Sequence, residues 1–354
     1  MSGEPIRIAI CDDSRSYAEA LRSFLEADRT LRVVAVAHSA EELIAELPRA
    51  RPDLVTIDLE LPGIDGVEAI RRIMATRPVP IVVLSTQAKR GGGTLAAAIA
   101  AGALDAVAKS QLRLDRRSGP HAIQLRQRLA RRARIGSVPN AIGTSATTSP
   151  CRAPPRRPPG GGVPKAGVAT VVGVAASAGG PSALAAVLGA LPADYALPLL
   201  IVQHMSRGFT AGLVDWLDAT VPPPVRLARD GEPAGSGVAV APDGAHLLLG
   251  ADGHLQLDAR ADGSAHHPSA DVLLASLARS AGRGAVAVVL TGMGRDGAAG
   301  VAAVREAGGA AIAERADRAL LSSMPAAAAE GGATPLELTQ IGPVLALLSA
   351  AARR

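Results

Sequence analysis

Residues 136–165 read GSVPNAIGTSATTSPCRAPPRRPPGGGVPK, and no other stretch constrains the fold more. Seven prolines and five glycines among these 30 residues leave neither a helical nor a strand period. Such a composition cannot bury enough apolar surface to offset the entropy of ordering it, so the segment reads as a partly extended linker. It divides the 354 residues into a first domain over 1–125, a basic Pro/Gly-rich linker over 126–165 and a second domain over 166–354.

On both sides of the linker, short aliphatic runs alternate with helical patterns. In the first domain IRIAICDD, LRVVAVAHS, DLVTIDLELP, VPIVVLST and LDAVAKS read as strands. The segments between them place apolar residues on one helical face, such as Tyr17, Leu21, Phe24 and Leu25, or Val67, Ile70, Ile73 and Met74. Unbroken aliphatic strands separated by helices imply a parallel sheet covered on both faces, a doubly wound α/β domain. The second domain begins and ends the same way, with TVVGVAAS, LPLLIVQHM, AVAVVLTGMG and AAIAE as strands. Between about 225 and 262, short apolar runs and Asp-Gly turns predict hairpins. The apolar residues, 48% of the chain, are chiefly Ala, Val and Leu, and aromatics are 1%, which leaves almost no surface for stacking nucleobases.

Charge and cysteine content narrow the class. The net charge of +5 concentrates at Arg113, Arg116, Arg117, Arg126, Arg128, Arg131, Arg132 and Arg134, continuing through Arg152, Arg156, Arg157 and Lys165. A basic stripe of this kind can bind nucleic acid; the plainer reading is a solvated helix face running into the linker. Cys11 and Cys151 suggest no disulfide framework and fit a reducing compartment. With no leader pattern and no apolar run of 18 residues, a cytoplasmic protein without membrane insertion is expected.

Functional groups of parallel sheets collect at the carboxyl ends of the strands. In the first domain these ends carry Asp12 and Asp13, Asp58, Ser85 and Lys109. The carboxylates and a backbone carbonyl form a hard oxygen site suited to Mg2+. A carboxylate beside Mg2+ and an ammonium can accept a phosphoryl group. Capping of the first helix by Asp12 and Asp13 would not account for the other three positions.

Residues 5–125 thus resemble a response-regulator receiver domain, a five-stranded flavodoxin-like fold. The resemblance implies that Asp58 is phosphorylated, with a sensor histidine kinase as phosphodonor. It implies that Asp13, Asp58 and the carbonyl of Glu60 hold Mg2+, Asp12 assisting, and that Ser85 and Lys109 contact the phosphoryl group. Two positions depart from the receiver pattern. Ala106 stands where an aromatic switch residue is usual, and Ser110 where proline, often cis, follows the lysine; at serine a cis bond would cost about 3 kcal/mol.

Three polar residues end strands of the second domain: Ser177 after TVVGVAA, His204 after LPLLIVQ, and Asp296 in LTGMGRDG. Serine needs a base and the base an orienting acid, so the set is chemically complete for acyl transfer. Singly, each has a plainer role: Ser177 as a helix cap, His204 as a satisfied strand-end histidine, Asp296 as a turn or cap. A phosphate cradle is disfavoured because Ala175 breaks G-x-G-x-x-G and no G-K-[ST] follows. His266 and His267 would point apart in an extended strand and show no metal-ligand spacing.

Together, GVAASAGG, IVQHMSRGFTAGL, HHPSADVLLASLA and LTGMGRDGAAG resemble the catalytic domain of the chemotaxis protein-glutamate methylesterases, over about 168–345. The resemblance implies a larger, mostly parallel α/β domain with a β-hairpin. Ser177 would be nucleophile, His204 base and Asp296 orienting acid, with Ala178 and Met293 beside the oxyanion. Ala178 departs from the family's usual threonine. Methyl-accepting chemoreceptors would be substrates, glutamine deamidation a second activity, and no cofactor would serve the ester hydrolysis. The rival classes are a DNA-binding transcriptional regulator, which would need a helix-turn-helix or winged helix beyond the linker, and a catalytically weakened homologue.

Overall fold

The structure, a computed structural model, describes residues 4–86, 92–114, 118–133, 169–260, 264 and 266–353. Most of the predicted linker, Arg116, Arg117, Arg134, Arg152, Arg156, Arg157, Lys165 and Cys151 lie outside the described residues.

Alternation along the first strand builds the two faces of the first sheet. In β1 (Ile6–Cys11), Ile6, Ile8 and Ile10 enter one apolar cluster, while Ala9 and Cys11 enter another. The other strands are β2 (Leu31–Ala37), β3 (Leu54–Asp58), β4 (Ile81–Ser85) and β5 (Asp105–Ala108), in the order β2-β1-β3-β4-β5 with every pair parallel. Helices α1 (Arg15–Leu25) and α5 (Pro120–Ala133) cover the Ile8 face, through Leu21, Phe24, Leu125 and Leu129. Helices α2 (Ala40–Ala50), α3 (Gly66–Thr76) and α4 (Gly92–Ala100) cover the other, through Leu43, Ile70, Ile73 and Ile99.

Helix α5 runs eight residues past the boundary expected at 125. Leu129 and Ala133 are buried in the first domain's core. Arg132 Nη2 reaches Asp105 Oδ2 at 2.8 Å, both side chains being almost wholly buried. Arg126 is also buried, its Nη1 donating to the Phe24 carbonyl. The solvated-face reading of the arginine cluster therefore fails at these two positions: they hold the helix to the domain.

The second sheet has seven strands in the order β14-β13-β12-β6-β7-β9-β8, all pairs parallel. They are β6 (Val171–Ala176), β7 (Pro198–Gln203), β8 (Val225–Leu227), β9 (Gly237–Val240), β12 (Ala285–Val289), β13 (Ala310–Glu314) and β14 (Thr334–Leu336). Between β9 and β12, β10 (His246–Leu249) and β11 (Leu255–Asp258) form an antiparallel hairpin. Only this pair answers to the predicted hairpins: β8 and β9 run parallel, because the segment between them returns the chain across the sheet. Helices α6 (Gly180–Gly189), α7 (Thr210–Thr220) and α11 (Leu338–Ala352) cover one face. Helices α8 (Ala270–Ala281), α9 (Ala298–Glu306) and α10 (Ser323–Glu330) cover the other. This α/β layering rules out a helix-turn-helix unit among the described residues of the second domain. No helix among them is long and apolar enough to cross a membrane.

The domains meet where α4 lies against α7. Phe209, just before α7, is buried in the first domain's apolar cluster with Ala106, Leu95 and Ala98. Ser206 Oγ donates to the Ala106 carbonyl at 3.0 Å.

Truncation tests the new boundary. A fragment ending at residue 125 forfeits the burial of Leu129 and leaves Asp105 buried without its cation, a combined cost of about 3 kcal/mol or more. In denaturant titration it is expected to unfold well before a fragment ending at residue 133; equal midpoints would show that the extra turns contribute nothing.

Candidate active site

Growth of the second sheet reverses at β6, with β7 on one side and β12 on the other. Crevices of open α/β sheets lie outside the strand ends at such a switch point. Ser177 is the first residue beyond β6, His204 the first beyond β7, and Asp296 sits in the loop between β12 and α9. The His204 N–H donates to the Ala176 carbonyl at 2.9 Å, extending the β6–β7 ladder one step. Ser177 and His204 therefore leave the sheet side by side.

The loop around Ser177 is held by its backbone. The Ser177 N–H donates to the Thr291 carbonyl at 3.1 Å. Gln203 Nε2 donates to the Ser177 carbonyl at 2.6 Å and the His204 carbonyl at 2.9 Å. Two glycines make room for this bracing. Gly179 has φ +74, and a Cβ there would lie 2.5 Å from Leu320 Cδ2. A Cβ on Gly180 would lie 2.0 Å from Gln203 Oε1. Helix α6 begins at Gly180 with Gly179 as its N-cap, so Ser177 does not cap it. Ala178 is buried, its carbonyl accepting the Thr291 hydroxyl at 3.1 Å. Met293 is half-buried between Gly292 and Gly294 in the facing loop.

His204 Nε2 lies 2.8 Å from Asp296 Oδ2, an ion-pair distance at which the N–H is not well aimed at the oxygen. Asp296 also accepts from Ser269 Oγ at 2.9 Å and from the backbone N–H groups of Ala270 at 2.7 Å and Asp271 at 2.9 Å. It thereby serves the N-terminus of α8, not that of α9, whose cap is Gly297. Burial alone would raise its pKa, but His204 and these N–H groups outweigh it and hold the carboxyl well below the usual carboxylate range. Asp271 returns the service, its Oδ1 accepting from Gly297 N–H at 2.9 Å and Gly300 N–H at 2.7 Å. The His266 ring stacks on His204 at 4.3 Å, whereas the His267 ring lies against His246, so the adjacent pair does point apart.

In the first domain the strand ends converge as the sheet order requires. Lys109 Nζ lies 2.6 Å from Asp12 Oδ2 and 2.5 Å from Asp58 Oδ2. Burial depresses the lysine's pKa, but the two carboxylates outweigh it and the net shift is upward. Burial pushes the Asp12 carboxyl up. Neither acid caps α1, whose N-cap is Ser14. Asp13 is exposed, and its carboxylate lies with those of Asp12 and Asp58, their oxygens within 4.8 Å of one another. Ser85 is buried at the end of β4, paired with Ala108. The Glu60 N–H donates to Asp58 Oδ1 at 3.2 Å.

Sequence reasoning missed several supporting residues. Gln203, Ser269 and Asp271 look like ordinary polar residues at element ends. Thr291 and Glu314 carried a usable signal, because each follows or ends an apolar strand as Asp58 does. Glu314 Oε2 accepts the Thr291 N–H at 2.7 Å. Burial, reinforced by Glu337, raises the Glu314 pKa from 4.5 to about 7.

Comparison with known proteins agrees with this architecture. Residues 172–345 match the family model described as CheB methylesterase, and residues 8–116 match the response regulator receiver domain. A protein-glutamate methylesterase/protein-glutamine glutaminase 4 of Myxococcus xanthus is 37% identical, the match covering 92% of this chain and 91% of that one. A protein-glutamate methylesterase/protein-glutamine glutaminase 2 of Cupriavidus metallidurans is 37% identical, over 99% of this chain and 100% of that one. The crystal structure of the Thermotoga maritima CheB methylesterase catalytic domain is 35% identical, covering 50% of this chain and 97% of that one at a TM-score of 0.48. Fold and site define a receiver joined to an α/β hydrolytic domain. The chain belongs to the CheB methylesterase family.

The raised pKa of Glu314 has a thermodynamic signature. Below about pH 4.5 folded and unfolded chains are both protonated there and no difference arises. As pH rises through 7, the unfolded chain ionises first and folding is penalised, by up to about 3 kcal/mol. Glu314→Gln does not titrate. Its stability in denaturant titration is therefore expected to gain on wild type between pH 4.5 and 7, then level off. A difference constant with pH would contradict the buried-acid account.

Proposed function

We propose that this chain is a phosphorylation-regulated protein-glutamate methylesterase that hydrolyses glutamyl γ-methyl esters on methyl-accepting chemoreceptors, with Ser177, His204 and Asp296 as its catalytic triad. The observation that carries the reading is the 2.8 Å His204–Asp296 contact beside Ser177 at the switch point of the sheet. Asp296 remains ionised and orients the ring through Nε2, leaving Nδ1 to take the Ser177 proton. Ser177 Oγ attacks the ester carbonyl. Methanol leaves with the proton returned by His204, and a water activated by the same nitrogen releases the glutamate. The Ser177 N–H is already given to Thr291, so we assign the oxyanion to the Ala178 N–H at the positive end of α6, with Met293 in the loop whose Gly292 packs on Ser177. A backbone donor of this kind does not depend on the hydroxyl that Ala178 lacks. Glutamine side chains enter the same sequence with ammonia as leaving group.

Regulation follows from the first domain. Asp58 is the phosphoryl acceptor and a sensor histidine kinase the donor. The reading is supported by the hard oxygen set that Asp12, Asp13 and Asp58 offer, their carboxylate oxygens lying within 4.8 Å of one another. Asp13, Asp58 and the Glu60 carbonyl would hold Mg2+, Asp12 assisting, and the ion when bound would offset charge on the phosphoryl group. Lys109 grips Asp58, and three residues earlier Ala106 holds Ser206, two residues past His204. Lys109 and Ser85 turning to a phosphoryl group on Asp58 would disturb that anchorage and open the site.

Methanol release from methylated receptor membranes tests both halves. Wild-type release is expected to rise several-fold with a small-molecule phosphodonor and Mg2+. Ser177→Ala is expected to lower it by at least about 1,000-fold with the fold intact. Release unchanged by Ser177→Ala would sink the triad reading, and indifference to phosphodonor would sink the regulatory one.

A further inference from the structure

Thr291, just beyond β12 and 2% exposed, is held by every polar group it has. Its hydroxyl donates to the Ala178 carbonyl at 3.1 Å and accepts the Leu321 N–H at 2.9 Å. Its carbonyl accepts the Ser177 N–H at 3.1 Å. These bonds grip the nucleophile loop on both sides of the Ser177 side chain. The third group, the Thr291 N–H, has run past the end of the β12–β13 ladder, whose last pair is Val289 with Ala313. Glu314, the last residue of β13 and 4% exposed, supplies by side chain the acceptor that the strand no longer offers. Facing Glu314 are the carboxylate of Glu337, which raises its pKa, and Thr291; Arg315 is turned to Glu337 and Asp317. Nothing in the ester hydrolysis itself uses this buried acid.

We propose that Glu314 is a positioning residue for the esterase reaction: acting through Thr291, its carboxyl oxygen fixes where Ser177 Oγ and the Ala178 N–H stand relative to the ester carbonyl. The proposal rests on the Ser177 reading above. A buried N–H that loses its acceptor is costly and moves to find another. A shift of about 1 Å in a reacting group can cost about 100-fold in rate.

The test is steady-state methanol release by the full chain with phosphodonor, on methylated receptor membranes, each rate normalised to active sites titrated with a serine-directed phosphonate. Glu314→Leu, which fills the space without an acceptor, is expected to lower kcat about 10- to 100-fold with KM within twofold of wild type. Glu314→Gln, whose amide oxygen accepts the same N–H, is expected to keep kcat within about threefold. If Glu314→Leu does not fold, Glu314→Met, of similar length and without an oxygen to accept the N–H, decides, with the same loss in kcat alone expected. Wild-type kcat in the deciding variant overturns the proposal, as does a loss that vanishes on normalisation, or an equal loss in Glu314→Gln. Ser177→Ala, its rate taken per mole of protein, runs in the same series. Retained release there overturns the serine reading and this proposal together, whereas a dead Ser177→Ala beside a fully active Glu314→Leu overturns this proposal alone.

Discussion

Parallel pairing of β6 with β12 is the constraint on which the rest of the second domain depends. The register from Ala285–Val171 to Val289–Ala175 brings both strands to the same edge at the same height. The sheet reverses its direction of growth there, so no helix crosses over the seam and its strand ends stay open. The Ser177 loop leaves one strand and Thr291 leaves the other. Two bonds between them, with Gln203 on the other side, fix a loop that passes through φ > 0 at Gly179.

Helix ends complete the site. Asp296 is drawn to the N-terminus of α8 and Asp271 to that of α9, so each helix is capped by the segment that precedes or opens the other. The exchange locks α8 to α9 and holds Asp296 ionised beside His204. The carboxylate that contacts His204 is thus also a structural anion at a helix dipole. The first domain ends its strands in the same way, with Lys109 bridging Asp12 and Asp58, and its β5 carbonyl at Ala106 reaches the loop that follows His204. Phe209 of the second domain is buried in the same apolar cluster as Ala106.

Much of this was legible in the sequence. Short aliphatic runs marked the five strands of the first sheet and β6, β7, β12 and β13 of the second. The polar residues after them, Asp58, Lys109, Ser177 and His204 among them, do stand at the carboxyl ends, because burial on both faces leaves room for polar side chains only at the edge. What was not legible has physical reasons. Asp-Gly turns in the 225–262 region suggested hairpins throughout, but turn chemistry cannot say whether the next strand pairs with its predecessor or crosses over, and β8 and β9 are parallel. Charge spacing placed Arg126 and Arg132 on a wet surface; their long stems let the guanidinium groups reach Phe24 and Asp105 inside the fold. Thr291 and Glu314 escaped notice because their importance lies in a pairing across 23 residues that only the strand order creates.

The central claim is that Ser177 is a nucleophile whose access is governed by the first domain. Covalent labelling by a serine-directed phosphonate, mapped by mass spectrometry, reads both parts at once. Labelling is predicted at Ser177 alone, abolished in Ser177→Ala, slow in the unphosphorylated full chain and several-fold faster once Asp58 is phosphorylated. Modification at another serine, or a labelling rate indifferent to phosphorylation, would contradict it.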